Sequence, residues 1–561
     1  MKPAALPGAL QRFAGFFSAP LLLADSLSRE RQAVQSEFAG VLLTDGCRGR
    51  QLLYDSCCRR DSPLSKFLWG SEQSLAAAGR EELVEFMGAH YSADSMCMCV
   101  LGAESLDAQE QQVAAAFGAV ANPATAATAA APCPPPLPAA AAGSPFTVES
   151  AGTLVLCEPI MQGHFLCLCW AVPPVCATYG GKSADMLGHL LGHEGAGSLT
   201  SALKAAGLII GLASSVGEEE EHDNDLFALF SVDITLTDAG VARLDEVTSA
   251  VLQYVVMLQR HGAEQLRWVW EELRDINSAE FRFLEEGESA DTVSMLAQGM
   301  MRKQPQHTLN GEYLYAEYKP QQVEEILGCL TLRALRAVLM SRTPPAFAAA
   351  AGAEAGAEAG AGAGLAATRT EAHFNVEYRC VALDLASIER HSADSALFAA
   401  GTLVLPPRNP YVASEFELLP ASTGEGGGEG GDEGEGESGE GVETPVALSE
   451  FGSAVRMFYK ADITYKTPKA VLWLSFKNPL FGEGAAGAVW SELFARLLTD
   501  TMNELTVRAP CWCCYCSRAR CCCSYCCCCL HAYVACSRSI WRKWQSCTRA
   551  CGWRQRRRFW T

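Results

Sequence analysis

The chain has 561 residues, and no apolar run among them reaches the eighteen or so residues that span a bilayer, so no membrane partner is expected. Basic residues are scarce, 44 Lys and Arg against 64 Asp and Glu, and the formal net charge of −20 argues against a nucleic-acid surface. Neutral or basic peptide partners suit that balance. The acidity fails in one place only: from Arg508 to Arg558 there are eleven basic residues and no acidic one. Evenly spread cysteine is also missing, because fourteen of the 26 lie between Cys511 and Cys551. The others are scattered as pairs and singles such as Cys57-Cys58, Cys97 and Cys99, or Cys167 and Cys169. That usage fits reduced thiols serving as small apolar side chains in a cytoplasmic protein better than a disulfide framework.

What is present describes an ordinary globular chain, 49% hydrophobic and 19% charged, with length for three or four domains. Three low-complexity stretches punctuate it: Ala/Pro-rich from Ala114 to Ser144, Ala/Gly-rich from Ala346 to Ala367, and Gly/Glu-rich from Gly424 to Gly441. None carries enough apolar surface to offset its ordering entropy, so each reads as a linker or insertion. Elsewhere strands and long helices alternate. Phe230, Val232, Ile234 and Leu236 interleave with Ser231, Asp233 and Thr235, predicting a strand with one buried face. A helix should follow, capped by Thr237 or Asp238, striped by Val241, Leu244, Val247, Val251, Tyr254, Val255 and Leu258, and ended by Gly262. A second is expected from about Glu264 to Phe283. Earlier, a strand around Met96 to Leu101 should precede a helix from about Glu104 to Phe117. The expected fold class is α+β, helices packed on a sheet.

Two histidines and a carboxylate crowd the run Gly188-His189-Leu190-Leu191-Gly192-His193-Glu194-Gly195-Ala196-Gly197. It is not a zinc-peptidase motif. H-E-x-x-H needs Glu directly after the first His and H-x-x-E-H needs it directly before the second, where Leu190 and Gly192 stand. Neither motif occurs anywhere in the chain. His189 and His193, four apart, could hold a metal from one helix face. The glycines at 188, 192, 195 and 197 favour close backbone approach instead. Glu30 and Glu37, seven apart, project from one face of a helix begun near Ser26 or Ser28, which by itself reads as a solvated face.

The run at Gly188 closely resembles a second-domain signature of the insulinase (pitrilysin-type) family of inverted-motif zinc metallopeptidases. The likeness can be followed from about Leu10 to Thr506, through Gln11-Arg12-Phe13-Ala14-Gly15-Phe16-Phe17, Ser62-Pro63-Leu64-Ser65-Lys66-Phe67, Val100-Leu101-Gly102-Ala103-Glu104, Tyr315-Ala316-Glu317-Tyr318-Lys319-Pro320 and Glu415-Phe416-Glu417-Leu418-Leu419-Pro420. It implies tandem insulinase-type α/β sandwich domains, half of a clamshell plus part of the other half. Residues 1–118 would be the C-terminal part of a first peptidase-like domain, 119–147 a linker and 148–345 a second domain carrying an exosite. An insertion at 346–370 would precede a hinge and the start of a third domain at 371–506, itself interrupted at 422–443. The tail 507–561 falls outside the likeness. Its Cys511-Trp512-Cys513-Cys514 spacings admit a thiolate metal cluster, but five tryptophans, many arginines and no repeat favour sequence translated out of frame. Likewise Met1 to Ala24 imitates a targeting segment, while Leu10 to Leu23 reads as family sequence.

By resemblance, Glu37 falls where the family has its third zinc ligand and Glu30 at the supporting acidic position. The histidine ligands and the base glutamate of H-x-x-E-H are missing, so the zinc of the complete family member is not expected to be held by this chain alone, which is read as an incomplete and inactive peptidase. His189, Gly192, Glu194, Leu212 and Ser214 correspond to the exosite that anchors a substrate's N-terminus, with Glu194 receiving the α-ammonium group and a strand edge extended by the peptide. Ser214 stands where the family has a second exosite glycine, and Asp185 where it has its first exosite histidine. Glu218 to Glu221 reads as a solvated acidic loop or, alternatively, a docking patch for basic peptides. The resemblance implies peptide substrates, and a homodimer or pairing with another family subunit. The reading from a different class is a non-catalytic peptide-binding subunit.

Overall fold

A computed structural model describes residues 2–122, 143–217, 221–343, 367–394 and 402–409. It also describes 345, 412–414, 416–417, 445–448, 457–459, 472–474, 484–506 and 530–532. Most of the expected linkers and insertions, and all of the Cys/Arg-rich tail except 530–532, lie outside the described residues, as do Glu218 to Glu220.

Residues 1–410, with 503–508, form one compact unit. It opens with helices α1 (Leu6–Ser18), α2 (Ala24–Val41), α3 (Asp45–Cys57), α4 (Arg80–His90) and α5 (Leu106–Phe117). Phe13 and Phe17 of α1 set their rings 6.0 and 6.3 Å from that of Phe117 of α5. Next come β1 (Thr153–Cys157), β2 (His164–Val172), α6 (Ser183–Gly192), α7 (Leu199–Ala205), β3 (Ile209–Val216) and β4 (Ala228–Leu236). Helices α8 (Asp238–Ala242), α9 (Leu244–His261), α10 (Ala263–Arg282), α11 (Ser289–Arg302) and α12 (Pro320–Cys329) follow. The unit then adds β5 (Arg336–Met340), β6 (Arg369–Thr370), β7 (Glu377–Ala382) and α13 (Leu385–Asp394).

The seven strands make one mixed sheet in the order β3-β4-β2-β5-β1-β7-β6, with β1 and β5 parallel and the other pairs antiparallel. Burial follows position. Every residue of the central strands β1 and β5 is buried, because both sheet faces are covered there. On one face α6, α9, α10 and α12 close the main core over Leu168, Trp170, Phe230, Val232 and Leu339. On the other, Leu52, Leu53, Tyr54 and Cys57 of α3 pack with Val155, Cys169, Val338 and Cys380. A helix from the first expected segment therefore shares a core with the sheet of the second. Toward the β3 edge the second face opens, leaving Asp233 and Ala213 exposed.

The alternation from Phe230 to Leu236 gives β4 as expected, although the strand begins two residues earlier at Ala228, where Ala228 and Leu229 are both buried. The helix expected from Thr237 to Gly262 is two. Thr237 caps α8 by accepting the Gly240 N–H at 3.0 Å, and Arg243, at φ −115° and ψ 38°, breaks the run before α9. Val241 and Leu244 on either side of the break are both buried, so the kink lets both dock. Met96 to Leu101 differs more: Met96 is extended at φ −110° and ψ 139°, but among the described residues no strand pairs with it. Alternating apolar residues set extended dihedral angles, whereas a ladder needs a neighbour. In the second unit, within 411–502 and 509–561, β8 (Val446–Leu448) pairs antiparallel with β9 (Met457–Tyr459); a helix, α14, covers Gly484–Thr506, of which 484–502 fall in this unit.

Candidate functional site

Helix α6 buries Ala184, Met186, Leu187, Gly188, Leu190 and Leu191, an apolar stripe that seats it on the sheet beside the edge strand β3. The seat is close because Gly188 lacks a side chain: a Cβ there would stand 2.7 Å from the Ser214 carbonyl oxygen. Gly192 is less constrained, its nearest neighbour being the Ser214 nitrogen at 3.5 Å. Strand β3 is bonded to β4 alone and is the outer strand of the sheet among the described residues. Leu212 buries its side chain in the core, and Ser214 Oγ donates to the Ser231 carbonyl at 3.1 Å, so the side chains of both turn inward. What β3 offers outward is backbone, the requirement for adding a further strand.

Gly192 is the last residue of α6, and His193 leaves the helix at φ −60° and ψ 139°. The two histidines therefore do not share a helix face, contrary to the metal-binding alternative. Their rings meet edge to face with centroids 5.5 Å apart. His193 is buried and its Nδ1 accepts the Gly195 N–H at 3.0 Å, which curls the chain after the helix and holds Glu194 at the bend. The Glu194 carboxylate is half-buried and pairs with Lys204 Nζ at 3.3 Å. A carboxylate has lone pairs for several donors, so this pairing leaves acceptor capacity for a second ammonium group. Asp185 is engaged by Lys182 at 3.1 Å.

His189 and His193 also line a small cavity of about 30 Å³ with Trp268, Glu272, Pro406 and Asn409. Glu272 Oε2 accepts the Asn409 N–H at 2.8 Å, and burial raises the carboxyl pKa above its usual value. Reading the sequence missed Glu272 and the segment Val404-Leu405-Pro406-Pro407-Arg408-Asn409. The available signal was two adjacent prolines after an apolar triplet, a stiff extended stretch ready to lie on a surface.

Glu30 and Glu37 lie on α2 as expected, both exposed. Among the described residues no three His, Cys, Asp or Glu side chains are grouped so as to hold a metal ion. The described residues therefore do not fit a zinc centre. Glu221 is not simply solvated, since it forms an ion pair with Arg50 of α3.

A mixed sheet with helices on its core face, an open edge and a glycine-pressed helix beside it defines a class of α+β sandwich. The comparisons agree. Residues 77–268 match the model described as "Peptidase M16 inactive domain", and residues 281–514 match "Middle or third domain of peptidase_M16". The chain is 29% identical to "Nardilysin-like" of Arabidopsis thaliana, over 90% of this chain and 45% of that protein. It is also 29% identical to human "Nardilysin", over 88% and 39%, and 28% identical to human "Insulin-degrading enzyme", over 90% and 45%. It thus spans less than half the length of these relatives. The crystal structure of pitrilysin superposes with a TM-score of 0.66 over 91% of this chain and 49% of that one, at 22% identity, a likeness of fold. The chain belongs to the insulinase, or M16, family of peptidases.

Proposed function

We propose that these residues form a peptide-binding module that captures the N-terminus of an extended peptide and does not by itself hydrolyse it. The observation that carries this reading is the juxtaposition of the outer strand β3 with the end of α6, where a Cβ on Gly192 would stand 3.5 Å from the Ser214 nitrogen and the Glu194 carboxylate follows two residues further on. An incoming peptide adds a strand along β3 and places its α-ammonium group against Glu194, while the alternation of its side chains leaves every second one on the open sheet face. Sequence specificity is then low, and a free amino terminus is the common requirement.

Hydrolysis needs a group that activates water, and neither H-x-x-E-H in the sequence nor a metal-holding cluster among the described residues supplies one. Catalysis within the family reading therefore belongs to a chain or segment carrying that motif, and pairing with such a subunit, or with a second copy, is part of the proposal. The exposed Phe16, Leu21 and Leu106 of the N-terminal region favour such pairing. A cytoplasmic setting is supported by the free thiols of the described cysteines, Cys57, Cys58 and Cys169 among them. No helix among the described residues is long and apolar enough to cross a membrane. The test is fluorescence anisotropy with one labelled peptide, its N-terminus free or acetylated. The free form should bind more tightly, and Glu194→Gln should erase the difference; equal binding of both forms by the unaltered protein would sink the reading.

A further inference from the structure

Leu403 to Asn409 lie as a strap across the exosite end of the main core. Its anchors are distinct in kind and spaced along its length. The Val404 N–H donates to the Gly197 carbonyl at 2.9 Å, and the Val404 side chain occupies the space that a Cβ on Gly197 would need, at a residue whose φ of +80° already favours glycine. Leu403 and Leu405 pack against the core. The Arg408 guanidinium stands 5.4 Å from the centre of the Trp268 ring, and the Asn409 N–H donates to the Glu272 carboxylate. Between the two end anchors sit Pro406 and Pro407, whose rings fix φ, so the stretch behaves as a short rod and a shift at one end reaches the other.

The strap meets the chain on either side of Glu194. Gly197, three residues after Glu194, is bonded to the strap, and His193, directly before it, lines the cavity that Pro406, Asn409 and Glu272 help to wall. The turn between them is held by the Gly195 N–H on His193 and by the Ser198 N–H on the Gly195 carbonyl at 3.0 Å. The position of the Glu194 carboxylate therefore depends on where the strap lies, and the strap is tied to α10 by Glu272.

We propose that the strap is a clamp on the peptide exosite and that Glu272 is its positioning residue, setting the affinity and N-terminal selectivity of the site without touching the peptide. The inference rests on the peptide-binding reading above. The groups facing Glu272 are the Arg408 guanidinium on the strap and, lining the same cavity, the imidazole rings of His189 and His193. Glu272→Gln keeps an acceptor for the Asn409 N–H, whereas Glu272→Ala removes it.

The experiment uses the full chain and two readouts, hydrogen exchange of the free protein and anisotropy with the free and acetylated peptides. Glu272→Ala should speed exchange at the amides of 195–199 and weaken binding of the free-amine peptide by about tenfold, a loss of the size of one hydrogen bond. Glu272→Gln should restore both to within about twofold, a rescue that general destabilisation would not give. Asn409→Pro, which deletes the donor and keeps the carboxylate, should reproduce the alanine result and serves if Glu272→Ala does not fold. Unchanged exchange at 195–199 in both disruptive variants overturns the clamp whatever the binding shows. Faster exchange with unaltered peptide affinity overturns its link to the site. If the unaltered protein distinguishes neither peptide, the peptide-binding reading fails and the exosite role of the clamp with it, while exchange still reports whether Glu272 holds the loop.

Discussion

Gly188 lies against Ser214 so tightly that a single added carbon would approach the Ser214 carbonyl oxygen to 2.7 Å. That oxygen belongs to the backbone of β3, which cannot yield without disturbing its ladder to β4. Gly188→Ala should therefore destabilise the fold by about 1–3 kcal/mol, the usual range for forced overpacking. Gly192→Ala, meeting only an ordinary contact at 3.5 Å, should change stability by less than about 1 kcal/mol. Urea unfolding of the two variants separates them, and equal losses would contradict the close seat of α6.

Cysteine reactivity should divide sharply by burial. Burial pushes the thiols of Cys57, Cys58 and Cys157 up to about 12, so at pH 8 the thiolate fraction of each is roughly one in ten thousand. Cys97 is exposed. Brief iodoacetamide treatment of the native protein at pH 8, followed by peptide mapping, should modify Cys97 and spare the three others until denaturant is added. Early labelling of Cys57 or Cys58 would mean that α3 does not seat on the sheet.

Asp45, the first residue of α3, ties that helix to the loop after β1. Burial alone would raise its carboxyl pKa, but the N–H groups of Ile160 and Met161, at 2.9 to 3.0 Å, together with Arg48 at 2.6 Å, outweigh burial and hold it below the ordinary value. A depressed folded-state pKa gives stability that is complete above the unfolded value and is lost as pH falls through the folded one. Asp45→Asn should cost about 2 kcal/mol at pH 7, since the lost bonds are charge-assisted. The gap to the unaltered protein should close as the pH drops below about 4. A gap independent of pH would remove the carboxylate from the account.

Strand β4 and helix α9 were legible because each buries one face, and a period of two or of 3.6 residues follows from that alone. The close backbone approach in the run from Gly188 to Gly197 was legible through its glycines, of which Gly188 and Gly197 are sterically required and Gly192 is not. The lesser alternative, a metal grip by the histidine pair from one helix face, stayed open in the sequence because nothing in the local pattern shows that α6 stops at Gly192. Glu272 was invisible for a different reason: its partner Asn409 is 137 residues away, and a lone acid on a helix carries no mark of a distant backbone N–H. The strand expected at Met96 shows the converse, a correct local preference for extension with no neighbour among the described residues to make it a ladder.

The most direct test of the account is hydrogen exchange of the full chain with and without a saturating free-amine peptide, read along both edges of the sheet. If the peptide adds a strand to β3, exchange at 209–216 slows on binding while β6, at the opposite edge, is unaffected. Peptide bound with exchange at 209–216 unchanged would contradict it, and would move the binding site away from the α6 and β3 seat.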